Sequence, residues 1–175
     1  MTVTINGTTG LAGVDGSAGT PAIQGADTNT GIFFPAADTI AFSEGGVEVM
    51  RLDSSANLQF NSGYGSVATA YGCRAWVNFN GTGTVAIRAS GNVSSITDNG
   101  TGLYTINFTT AMSDANYSVA GAVSPSGVNA ALAVQIFAGT PWATSAPTTS
   151  SFSIVTPVST TNPTDLAYVC LSVFR

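Results

Sequence analysis

Nine carboxylates, four arginines, five tyrosines and two cysteines supply the ionisable side-chain chemistry of this chain, which has no histidine and no lysine. Histidine is the commonest general base and the commonest zinc ligand. Its absence removes serine-histidine nucleophilic systems and most zinc sites. Glycosidic cleavage would need two carboxyl groups about 5–10 Å apart. The C-terminal half offers only Asp98, Asp114 and Asp165, in the contexts DNG, SDAN and NPTDL. Aspartate in such settings starts turns by binding its own backbone. The chain is therefore expected not to be an enzyme and to carry no cofactor. A divalent cation on a symmetry axis is conceivable in an acidic assembly, but no spacing asks for one. Cys73 and Cys170 form no metal-type or CxxC spacing. They are expected to be reduced and buried, and a disulfide between them would need Cα atoms within about 7 Å.

The remaining candidates are aromatic and cationic. Trp142 lies in the loop sequence GTPWATSAPTTS, where an exposed ring could stack on the apolar face of a sugar; a core lid or a subunit contact is the alternative. Tyr117 is carried with it as a candidate receptor contact, although Tyr64, Tyr71 and Tyr117 also read as packing residues whose hydroxyls reach polar partners. Trp76 points opposite to Val77 and Phe79, which makes it a second-face core residue or an inter-chain contact. Arg51, Arg74 and Arg88 are few enough for each to have a specific partner, and the guanidinium fork suits an inter-chain contact. The alternative is a solvated surface arginine.

Those residues sit in an unusual background. The chain has 175 residues, 44% hydrophobic but only 7% charged, with net charge −5. Binding driven by phosphate neutralisation is excluded, so no nucleic-acid partner is expected. Mean hydropathy is +0.30, too high for intrinsic disorder. The N-terminus MTVTINGTTG lacks the regions of a secretion signal, and no run reaches the ~18 apolar residues of a membrane span. No membrane insertion is expected. Six Asn-x-Ser/Thr sequons, at Asn6, Asn80, Asn92, Asn99, Asn107 and Asn116, are read as chance in a Ser/Thr-rich chain.

Residues 1–31 hold few large apolar side chains and cannot offset the entropy of ordering themselves; they read as an attachment arm. Residues 32–60 read as short strands at Ile32–Phe34, Thr39–Phe42, Val47–Leu52 and Leu58–Phe60, broken at Pro35, Glu44-Gly45-Gly46 and Asp53-Ser54-Ser55. In Val47–Leu52, alternation puts Arg51 with Val47 and Val49, and Glu48 with Met50 and Leu52. Such a meander is marginal alone. The small-residue stretch 61–71 marks a boundary, giving an arm (1–31), a shaft segment with linker (32–71) and a C-terminal domain (72–175). Beyond Cys73 the alternation is cleaner: Val77 and Phe79; Val85 and Ile87; Tyr104, Ile106 and Phe108; Tyr117, Val119 and Val123; Leu132, Val134 and Ile136; Phe152 and Ile154; Val169, Leu171 and Val173. Asn80–Gly83 and Asn99–Gly102 both read NGTG, a hairpin signal. About eight strands with polar turns predict an antiparallel β-sandwich of jelly-roll or Ig-like topology.

The stretch ADTNTGIFFPAADTIAFSEGGVEVMRLDSSANLQF, residues 26–60, resembles the shaft repeat of tailed-bacteriophage tail fibres, with its pattern DTNTGI-FPAADTI-FS-GG-E-MR-DSSGN. Residues 73–119 are similar to the distal β-domain of many such fibres. The resemblance implies an all-β homotrimer on the virion tail, assembled in the bacterial host cytoplasm. It implies a short intertwined shaft, an arm at 1–31 docking to the baseplate or tail, and a knob meeting the host surface. A host glycan is the expected receptor, with Trp142 and Tyr117 as candidate receptor contacts. Trp76, Arg51, Arg74 and Arg88 become candidate trimer contacts. One repeat, with no chaperone segment after Arg175, leads to the expectation of a short fibre. A capsid decoration protein, a polysaccharide depolymerase and a bacterial adhesin carrying a phage module are the rival readings.

Overall fold

The computed structural model describes residues 4–7, 10–124, 132–133, 135–136, 145–159 and 162–175. Among them every regular element is a β-strand, and every strand pairing is antiparallel. The chain forms two compact units, Met1–Ala70 and Tyr71–Arg175.

In the first unit six strands run in chain order as a meander: β1 (Ile23–Gln24), β2 (Gly31–Phe33), β3 (Ile40–Glu44), β4 (Val47–Leu52), β5 (Leu58–Phe60) and β6 (Ala68–Thr69). Turn chemistry sets this order. Gly45 and Gly46 have φ of 58° and 79°, the positive values that a two-residue hairpin demands of both central residues. The β4–β5 turn is closed by Asp53, whose Oδ1 accepts from the Ser55 and Asn57 amides at 2.9 Å. Part of the segment read as an arm belongs to this unit: β1 is the edge strand, Phe34 N–H donates to Asp15 O at 2.8 Å and Gly46 N–H to Asn29 O at 2.8 Å.

The alternation expected for β4 is corrected by a bulge. Met50 pairs with Phe42 but Glu48 pairs with Ser43, which leaves Val49 without an opposite residue. The extra residue reverses the face of what precedes it. Glu48 therefore comes to the side of Arg51, and the two form an ion pair.

The second unit has nine principal strands: β7 (Cys73–Asn80), β8 (Ala86–Gly91), β9 (Val93–Gly100), β10 (Leu103–Phe108), β11 (Ser118–Ser124), β12 (Leu132–Ala133), β13 (Gln135–Ile136), β14 (Ser151–Val155) and β15 (Tyr168–Phe174). They form two sheets, in orders β8-β7-β15-β11-β12 and β9-β10-β14-β13. Alternating apolar residues from both sheets meet in one core of Val77, Phe79, Tyr104, Ile106, Phe152, Ile154, Val169, Leu171 and Val173, with Met112 and Leu166 from connecting segments. Phe79 meets Tyr104 edge-on at 5.1 Å, and Tyr117 meets Phe108 edge-on at 5.6 Å.

One residue carries the chain from the first sheet to the second. Asn92, between β8 and β9, has φ of 56°, a left-handed conformation that asparagine tolerates better than most residues. Its Nδ2 donates to Arg74 O and Thr110 O at 3.3 and 3.1 Å, and its Oδ1 accepts from the Thr110 amide at 2.8 Å. The first NGTG turn is held by Asn80 Nδ2 donating to Thr82 O at 2.6 Å. In the second, Gly100 pairs with Leu103, so Thr101 and Gly102 are the turn residues.

Candidate functional site

Two surfaces stand out, one in each unit. In the first unit the register aligns Ile23, Ile32, Phe42, Met50 and Phe60 in one row across β1–β5, and Ile40, Leu52 and Leu58 in a second. Both rows share a face, because side chains two residues apart on a strand point the same way. On it Ile23, Ile40, Leu52, Leu58 and Phe60 are each between 41% and 52% exposed. The opposite face buries Phe33, Ala41 and Ser43 and carries the Arg51–Glu48 pair. An open groove of about 660 Å³ adjoins the apolar face at Ile40 and Leu52, with Asp15, Asp38 and Asp53 on its walls. Among the described residues no group of three or more acids or cysteines is placed to hold a metal.

The second surface is the face of sheet β8-β7-β15-β11-β12 that points away from the core. Trp76 projects from it, 44% exposed, opposite Gly91 on β8. The indole fills the space above that glycine: a Cβ there would lie 2.4 Å from Nε1. Trp76, Asn78, Ala120, Ala122, Cys170 and Ser172 line a groove of about 560 Å³. It exists because the residues facing Trp76 across the sheet are small. At one end Arg88 lies over the Tyr168 ring, 4.3 Å from its centroid, and reaches Asn78 and Asn80 at 3.5 Å. Arg74 is exposed and is the extra residue of a bulge between Cys73 and Ala75.

The residues singled out from sequence fall in different places. Trp76 is an exposed outer-face residue of β7, and Arg88 reaches the same face at Asn78; Arg74 sits in a bulge at the start of β7, and Arg51 is in the other unit, paired with Glu48. Trp142 lies outside the described residues. Tyr117 is corrected as a receptor contact: it is buried in the core with Phe108 and Phe152, and its hydroxyl lies 3.0 Å from the Thr148 and Ser151 carbonyls. Burial pushes that hydroxyl's pKa up to about 12. Tyr64 and Tyr71 do not pack within the chain; they are 94% and 71% exposed. The cysteines are free, as read, but exposed rather than buried. Cys73 pairs with Phe174 and Cys170 with Asn78, a stagger of four residues or about 13 Å along the strand, too far for a disulfide.

The three C-terminal carboxylates are committed to structure. Asp98 accepts from the Gly100 amide at 3.0 Å. Asp114 accepts from the Asn116 amide at 2.8 Å and pairs with Arg175. Asp165 accepts from the Gly102 amide and the Tyr104 hydroxyl. Arg88 and Tyr168 meet across β7, which lies between their strands, a non-local arrangement that no local signal in the sequence marks. Compared with protein-family models, curated proteins and solved structures, the chain finds no match.

Proposed function

We propose that this chain is a structural virion protein: a homotrimeric bacteriophage tail fibre, joined to tail or baseplate through residues 1–31 and adhering to a host-surface glycan. Residues 32–71 form the short shaft with its linker, to whose meander β1 of the arm adds the edge strand, and the two sheets of the second unit form an antiparallel sandwich that serves as the knob. The chain is not an enzyme in this reading, consistent with carboxylates spent on turns and ion pairs.

The observation that carries the proposal is the apolar face of the β1–β5 meander. Covering a large apolar side chain is worth about 1.5–3 kcal/mol, so five half-exposed ones leave on the order of 5 kcal/mol unrealised per chain. Association of copies is the direct way to realise it. Symmetric closure limits the assembly to a finite size.

Analytical ultracentrifugation of the full chain at micromolar concentration is expected to give a trimer, and Leu52→Glu with Phe60→Glu a monomer. A folded wild-type monomer overturns the assembly. Immunogold labelling of particles is expected to mark tails; labelling of heads overturns the fibre assignment in favour of a decoration protein.

A further inference from the structure

We propose that the outer face around Trp76 binds an oligosaccharide that carries carboxylates, a run of uronic acid residues. The proposal rests on the adhesion reading and names the chemistry that the knob recognises.

The first argument is charge. Of the four arginines, Arg51 is paired with Glu48 and Arg175 with Asp114. The other two, Arg74 and Arg88, have no carboxylate partner among the described residues, and Arg88 stands on the Trp76 face, over Tyr168 and beside Asn78. Every acid of this unit is engaged elsewhere: Asp98 in its own turn, Asp114 with Arg175, Asp165 with Gly102 and Tyr104. A chain of net charge −5 thus keeps an unneutralised guanidinium group on this face. A copy of the same face is a poor occupant, because it would bring like charges together and desolvate them unpaired.

The second argument is shape. The indole, accommodated over Gly91, leaves an exposed aromatic surface beside a groove floored by Ala120, Ala122, Cys170 and Ser172. A pyranose ring stacks on such a surface through its C–H face. Trp76 pairs with Ser172, and Tyr168 stands four residues further along β15, about 13 Å away, a span suited to a short oligosaccharide rather than one sugar. A uronic acid holds its carboxylate at C5, directed sideways from the ring. A short oligosaccharide stacked on Trp76 and running toward Tyr168 therefore offers a carboxylate to the Arg88 guanidinium fork, whose planar donors match it. Asn78, between the two ends, supplies an amide for hydroxyl groups.

The test is calorimetric titration of the full chain with tetragalacturonate, and with a neutral galactose tetramer as control. Saturable binding is expected for the acidic tetramer, about tenfold weaker for the neutral one. Trp76→Ala, Arg88→Gln and Arg88→Ala are each expected to weaken it about tenfold, while Trp76→Phe retains most of it. Arginine variants with unchanged thermal unfolding keep the result free of misfolding. Absence of saturable binding, equal binding of the neutral tetramer, or unaltered binding by the arginine variants overturns the proposal. Tail labelling without uronide binding removes this site and leaves the fibre; uronide binding with head labelling does the reverse.

Discussion

The Tyr104 hydroxyl lies 2.8 Å from Oδ1 of Asp165, which also accepts from the Gly102 amide at 2.7 Å. This contact ties the β9–β10 turn and the core side of β10 to the segment before β15. Burial first, and the Asp165 contact second, push the Tyr104 hydroxyl far above the usual tyrosine range. Asp165→Ala leaves the Gly102 amide short of an acceptor, while the Tyr104 hydroxyl keeps the Gly81 carbonyl at 3.0 Å; it is expected to cost about 1–3 kcal/mol, read as a lower midpoint in urea unfolding. Tyr104→Phe should cost less. Equal stability of Asp165→Ala and wild type would contradict the assignment.

Alkaline behaviour follows from the same two buried phenols. The folded-state pKa values of Tyr104 and Tyr117 are raised, so their contribution to stability is complete below the unfolded value of about 10 and declines as pH rises above it. Ultraviolet titration is expected to show a fraction of tyrosinate that appears only with loss of near-ultraviolet circular dichroism. Ionisation of every tyrosine in the intact fold contradicts this.

Acid has the opposite sign. Asp53 is held below the ordinary carboxylate range, chiefly by the Asn57 amide, and Asp114 chiefly by the Arg175 guanidinium. Depressed values give stability that is present above about pH 4 and lost as pH falls through them. The Tm of wild type should therefore drop between about pH 4 and pH 2, and Asp53→Asn with Asp114→Asn should lower Tm at neutral pH and flatten that drop. An unchanged drop in the double variant counts against the link.

Ala56 occupies the left-handed region with φ of 60°, where glycine meets no steric penalty. A side chain there costs about 1 kcal/mol relative to glycine. Ala56→Gly is expected to raise the stability of the first unit by about that amount, less the entropy that glycine gains unfolded, measured by differential scanning calorimetry. A destabilised variant would show the turn to be relaxed with alanine.

Asn92 combines positive φ with three side-chain hydrogen bonds. Asn92→Ala loses both and should cost about 2–3 kcal/mol, whereas Asn92→Gly keeps the conformation and should cost less. Denaturant midpoints of the two variants give the comparison; the reverse order contradicts the role assigned to the backbone.

Local signals were legible where one strand face settles the matter. Val77 and Phe79, and Val169, Leu171 and Val173, alternate inward as their spacing indicates, which is also why Trp76 points out. Strand bounds at Val47–Leu52 and Leu58–Phe60 follow from the turns beside them. What failed to show was non-local. The Val49 bulge is decided by pairing with β3, so alternation misplaced Glu48. Sheet membership depends on Asn92; the dipeptide Gly91-Asn92 carried a hint, since both residues accept unusual φ, but nothing local says which sheet follows. The outer-face constellation needed register too: Arg88 and Tyr168 are eighty residues apart in number and meet only because β15 inserts beside β7.

That insertion has a consequence for synthesis. β15 sits between β7 and β11, yet of the three it leaves the ribosome last. Until it arrives, two ribbons must wait with bare hydrogen-bonding edges and half of their greasy layer uncovered. A nascent chain stalled before residue 168 is thus a target for holding chaperones, and the central ladder closes in one late step.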